Sequence, residues 1–112
     1  MQHSKGMKAT VHDIVELVEY QPDSVVSKTV IDQPAGKVTL FAFDESQGLS
    51  AHIVPFDALV QVIEGEVSIT ISGQPHKLKA GQMIIMPANQ PHAVKAVSPF
   101  KMMLVMIKKD PR

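Results

Sequence analysis

Two histidines carry most of the chemical potential of this chain. His52 lies in Gly48-Leu49-Ser50-Ala51-His52-Ile53-Val54-Pro55-Phe56-Asp57-Ala58, which runs on to Ile63-Glu64-Gly65-Glu66. His92 closes Gly81-Gln82-Met83-Ile84-Ile85-Met86-Pro87-Ala88-Asn89-Gln90-Pro91-His92. An imidazole can ligate a divalent transition metal, act as a general base near neutral pH, or hydrogen-bond a ligand. The chain has no cysteine, which excludes thiol catalysis, zinc ribbons and disulfide staples. No Ser-His-Asp arrangement stands out either.

The elements that must position these residues are short. From about Ser24 onward, β-prone runs alternate with turn residues. Val25 to Ile31 ends at Asp32-Gln33-Pro34-Ala35-Gly36, and Lys37 to Asp44 ends at Glu45-Ser46-Gln47-Gly48. Further strands are expected over 57–63, 66–71, 76–78, 82–86, 92–97 and 100–107, with a tight hairpin at Glu64-Gly65-Glu66. Many short strands at this spacing predict a sandwich or barrel, and no long helical periodicity exists to cover a parallel sheet. Thr10 to Tyr20 reads two ways. Thr10 and Asp13 could form a capping box with Val11, Ile14, Val15 and Val18 on one helical face, or the segment could alternate as a strand. One short helical turn leading into an edge strand is the reading adopted.

Length and composition bound the rest. The 112 residues fit a single domain, read as a flexible arm over 1–10 and one barrel over 11–112. Hydrophobic residues make up 45% and charged residues 20%, a globular mixture. Lys plus Arg equals Asp plus Glu, 11 each, so no electrostatic case exists for nucleic acid or an anionic membrane. No apolar run is long enough to span a bilayer and no secretory signal is evident, so a cytoplasmic protein is expected. Met83-Ile84-Ile85-Met86 and Phe100 to Ile107 are apolar on both faces, whereas a strand wetted on one side alternates. Such strands need cover twice. A homodimer is the expected second cover, with cover by the N-terminal segment as the alternative.

The two histidine stretches resemble the paired motifs of the cupin superfamily, small β-barrels of jelly-roll type. Aligned backwards from Gly65, the first motif puts its two histidine positions at His52 and Val54, its glutamate position at Ala58 and its leading glycine at Ser46. In the second motif Gly81, Pro87 and His92 fall on register, Asn89 replaces the inner glycine, and Ala96 replaces the last asparagine. The residues themselves suit those roles. Gly81 and Asn89 tolerate positive φ, and Pro87 ends a strand without wasting a ladder donor.

The resemblance implies an all-β, cupin-type double-stranded β-helix and an inward-facing site at positions 52, 54, 58 and 92. In the family that set holds a divalent metal such as Mn, Fe, Ni, Cu or Zn. Here His52 and His92 remain as metal-type ligands, while Val54 and Ala58 have no donor atom. Asp57 or Gln61 could supply a third, although alternation points both to the opposite face. His76 lies near a turn and reads as exposed, and Glu64 and Glu66 read as solvated. His52, His92, Val54, Ala58, Val60 and Met86 are therefore the candidate ligand-binding residues. Val62, Phe41, Phe43, Met83, Met102 and Met106 would add apolar surface. The expected function is binding of a small molecule, with or without a divalent metal. A metal-dependent enzyme of dioxygenase, isomerase, epimerase or decarboxylase type is the alternative, and a purely structural barrel is the third reading.

Overall fold

A computed structural model describes residues 6–108. Within them a 3-10 turn, Ile14–Glu16, precedes β1 (Val25–Gln33), β2 (Gly36–Phe43), β3 (Gly48–His52), β4 (Ala58–Glu64), β5 (Glu66–Ile71), β6 (Gln74–Lys79), β7 (Met83–Met86), β8 (His92–Ala96) and β9 (Phe100–Ile107). The strands form a five-stranded sheet, β1-β2-β9-β4-β7, and a four-stranded sheet, β3-β8-β5-β6. Every pairing is antiparallel. This is the all-β jelly-roll barrel that the sequence predicts.

Alternation builds the core. Phe43, Val60, Val62, Val67, Ile69, Phe100 and Met102 are fully buried between the sheets. Each such side chain contributes about 1.5–3 kcal/mol of burial. Phe43 stacks on Phe100 with centroids 4.6 Å apart, which plugs one end of the barrel. Near that end the chain crosses between sheets at Gly65. The expected hairpin at Glu64-Gly65-Glu66 is instead a corner, because β4 and β5 belong to different sheets. Gly65 has φ +82, and a Cβ there would lie 2.1 Å from the Pro99 carbonyl oxygen. Both facts require glycine.

Other expectations also meet differences. Gly48–His52 pairs as a strand although no strand was expected there. The stretch expected at 76–78 begins at Gln74 and includes Pro75, tolerated because β6 is a sheet edge. Of the arm over 1–10, residues 1–5 lie outside the described residues, and Met7 and Lys8 border a groove against Val30 to Gln33. The expected capping box does not form. Thr10 Oγ1 donates to the Lys8 carbonyl at 3.1 Å, and the cap residue Asp13 makes no side-chain hydrogen bond. The proposed helical face is not a face either: Val11 is 95% exposed and only Val18 is buried. One short turn does lead to an edge strand, β1.

The outer side of the five-stranded sheet receives part of its cover from this segment. Leu17, Val18 and Tyr20 pack with Val26, Leu40, Ala42, Ile63 and Met103. Lys101 Nζ donates to the Val15 carbonyl at 2.5 Å and sits 4.9 Å from the Tyr20 ring centroid. The Tyr20 hydroxyl donates to Glu64 Oε2 at 2.5 Å. Burial, then the hydrogen bond and charge of Glu64, raise the Tyr20 pKa well above its ordinary value. Glu64, expected to be solvated, is thus an anchor. Beyond this cover Ile31, Met83, Ile85 and Ile107 remain exposed. No helix among the described residues is long and apolar enough to cross a membrane.

Candidate functional site at the open end of the barrel

The two histidine stretches pair with each other in both sheets. β4 pairs with β7 in the five-stranded sheet, and β3 pairs with β8 in the four-stranded one. Two long-range ladders therefore bring His52 and His92 together. Loop contacts tie the same stretches: Asn89 N–H donates to the Val54 carbonyl and Ala88 N–H to Asp57 Oδ1, both at 2.8 Å. Asn89 has φ +66 and Gly81 φ +91, as their turn roles predict. Ser46, standing where the family motif has its leading glycine, also adopts positive φ, at +70.

A local irregularity aims His52. On β3 the paired residues are Leu49 and His52, opposite Val94 and His92 on β8. One extra residue is thus accommodated in β3 between the two pairs. In a regular strand, position 52 would face away from position 49. The bulge restores His52 to the inward side. Gly48 permits the close approach of the strands, since a Cβ there would lie 2.2 Å from the Val94 carbonyl oxygen. The imidazole rings meet edge to face, with centroids 4.5 Å apart and planes at 67°.

The rings occupy different environments. His52 is exposed, and its Nδ1 lies 3.0 Å from the Ser50 carbonyl. A carbonyl only accepts, so Nδ1 is the donor in this contact. His92 is 4% exposed, and its Nδ1 has no well-aligned hydrogen-bond partner, the Gln90 backbone making only a weak contact with the ring. Burial lowers the His92 pKa below its ordinary 6.5; the charge of His52 adds to this, while the Gln90 backbone works against it.

The interior is closed at the Phe43–Phe100 end and becomes progressively more exposed toward the histidines. Along β9, Phe100 and Met102 are buried, whereas Leu104 and Met106 are half-buried. Along β5, Val67 and Ile69 are buried and Ile71 is half-buried. Of the expected binding residues, Ala58, Val60 and Met86 belong to the packed core behind the imidazoles. Val54 is half-buried beyond the end of β3. Phe41 and Met106 pack against the core from its half-exposed side, while Phe43, Val62 and Met102 fill the closed part. Met83, opposite Gln61, faces outward and does not line the interior.

Among the described residues no third metal donor joins the two imidazoles. Gln61 shares the outward face with Met83, and Asp57 is engaged with the Ala88 amide. His76 is half-buried on β6 opposite Ile69, which corrects its reading as exposed, and His12 Nε2 contacts the Met7 carbonyl. His3 lies outside the described residues. Among those described, no group of three His, Cys, Asp or Glu side chains comes together. Two imidazoles without a carboxylate do not make the three-ligand set of a resident catalytic metal. One polar residue escaped the sequence reading. Thr39 is buried on the inward side of β2, and its Oγ1 has no partner. Its place two residues before Phe41 and four before Phe43 was the available signal, a lone hydroxyl in phase with apolar inward positions.

The pattern of the Cupin domain family matches residues 40–108, and the chain belongs to that family. A conserved Streptococcus pyogenes protein of unknown function is 34% identical, with a TM-score of 0.88 over 98% of this chain and 92% of that one. A cupin 2 conserved barrel domain protein from Leptotrichia buccalis is 39% identical, with a TM-score of 0.81 over 84% of this chain and 46% of that one. A cupin superfamily protein from Desulfitobacterium hafniense is 22% identical, with a TM-score of 0.86 over 91% of this chain and 94% of that one, and shares the fold. No curated protein matches the chain.

Proposed function

We propose that this cupin-family chain is a binding module that holds a small organic molecule at the open end of its barrel, against His52 and His92. One observation carries the reading: the two imidazoles are cross-strand partners facing inward, and the buried one has an unsatisfied nitrogen. Apolar walls with a few convergent polar groups are the usual make-up of such sites. A barrel of this size holds one small ligand. Screening a metabolite library by thermal shift tests the proposal. A cognate compound raises the melting temperature without being turned over, and His92→Ala removes the shift. Turnover of the compound would instead support an enzyme.

A divalent ion is the second reading, favoured only by the juxtaposition of the two rings. It would need further donors from water or ligand. Elemental analysis of untagged protein separates the readings. The exposed apolar residues Ile31, Ile85 and Ile107 on the outer sheet face support a homodimer as the working form, to be checked by light scattering on the eluting protein. A cysteine-free chain also suits a reducing cytoplasm, which fractionation would test.

A further inference from the structure

One apolar residue from each strand of the five-stranded sheet falls on a single line across it. Ile31 pairs with Val38, Val38 with Val105, Val105 with Leu59, and Leu59 with Ile85. Their chain neighbours Ala58, Val60, Ile84, Met86, Leu104 and Met106 belong to or pack against the interior core, so alternation turns the row outward. The N-terminal segment covers the adjoining Leu40 and Met103, and none of the five row residues joins that packing. Ile107 and Met83 extend the row to either side. Ile31, Met83, Ile85 and Ile107 are each between 47% and 62% exposed.

Four side chains this open leave on the order of 400 Å² of apolar surface in water, a size that marks interaction sites on monomeric proteins. With the half-buried row residues and the adjoining backbone, two such faces together reach roughly the 1,000 Å² that a stable interface needs. The shape of the patch selects the occupant. At the β7 end Met83 and Ile85 stand out from the sheet. At the other end lies a groove of about 280 Å³, bounded by Ile31, Gln33, Gly36, Val38, Val105 and Ile107. β9 is the middle strand of the five. A two-fold axis running along β9 at Val105 therefore lays the Met83–Ile85 end of one copy over the groove of the other, twice. Pairing along a sheet edge is disfavoured. β1 is bulged between Thr29 and Ile31 and carries the exposed Lys28, and β7 has only four residues.

We infer that a second copy of this chain seats on this row, outer sheet against outer sheet, with β1 of each protomer over β7 of its partner. The inference rests on the homodimer proposed above and fixes its surface and symmetry. It leaves the sheet that carries His52 and His92 uncovered, because β3 and β8 belong to the other layer.

The test uses the full chain, whose lack of cysteine lets single thiols be placed. By sizing with light scattering the parent is expected to be a dimer. Ile85→Asp and Ile107→Asp are expected to weaken it at least about tenfold, since each carboxylate would be stripped of water. Ile53→Asp, at a comparably exposed apolar residue beyond β3, is expected to stay dimeric. A short bismaleimide is expected to join Ile31→Cys to Ile85→Cys in a mixture, and to join neither variant to itself. A monomeric parent overturns both the homodimer and this inference. A dimer that survives both aspartates, or that Ile53→Asp dissociates, overturns the inference and leaves the homodimer standing. Cross-linking of each thiol variant to itself, or no mixed product, does the same.

Discussion

His52 and His92 are directly opposed across β3 and β8, with ring centroids 4.5 Å apart, and only the second is buried. Two like groups this close cannot both protonate without cost. Replacing His52 by alanine removes one of the causes that depress the His92 pKa. The His92 midpoint, followed by imidazole NMR, is expected to rise in His52→Ala while staying below its ordinary 6.5, because burial, the larger cause, remains. A fall would show that the rings do not interact as described.

The same depression makes stability depend on pH. The unfolded chain titrates its histidine near 6.5 and the folded chain lower, so between those values the unfolded state binds more protons. The contribution of His92 is fully present above 6.5 and is lost as pH falls through that window to the folded pKa. Urea unfolding at pH 7.5 and at about pH 5 is expected to show lower stability at the acid value. A His92→Gln variant should show a flatter profile, and an unchanged slope would contradict the assignment.

Gly48 is the point where β3 lies against β8. A methyl group added there meets the Val94 carbonyl oxygen at 2.2 Å, so the strands must part. Gly48→Ala is expected to cost about 1–3 kcal/mol in chemical denaturation. It should also move the His92 midpoint toward its ordinary value, since parting the strands rehydrates the ring. A variant as stable as the parent, with an unmoved midpoint, would show that this contact is not needed.

Tyr20 joins the N-terminal segment to Glu64 through a 2.5 Å hydrogen bond. Tyr20→Phe keeps the ring beneath Lys101 and deletes the hydroxyl. The expected loss is about 1–2 kcal/mol, with faster amide exchange across residues 14–18 than in the parent. Equal exchange in the two proteins would place the anchor elsewhere, in the Lys101 to Val15 contact or in apolar packing.

Two imidazoles with no third donor among the described residues predict weak metal affinity. Zinc or manganese titrated by calorimetry is expected to bind only weakly, and a chelator should leave the melting temperature unchanged. A stoichiometric metal retained through dialysis and lost in His52→Ala would revive the metal-dependent reading.

Much of the architecture is written in local chemistry. Gly81, Asn89 and Gly65 adopt the positive φ that their residue types suggest, and Pro87 stops β7. Of the further apolar residues expected at the interior, Phe41, Phe43, Met102 and Met106 belong to or pack against the core, because strand period two is a property of the single chain, whereas Met83 faces outward. What the chain alone could not decide is what depends on pairing partners far away in sequence. The hairpin expected at Gly65 became a corner because its flanking strands found different sheets. His52 turned inward only because β3 absorbs an extra residue against β8. Thr39 became notable only once its hydroxyl proved to lack a partner, a property of every neighbour around it. Turn and strand preferences are local energies, whereas register, bulges and unsatisfied atoms exist only after distant segments have met.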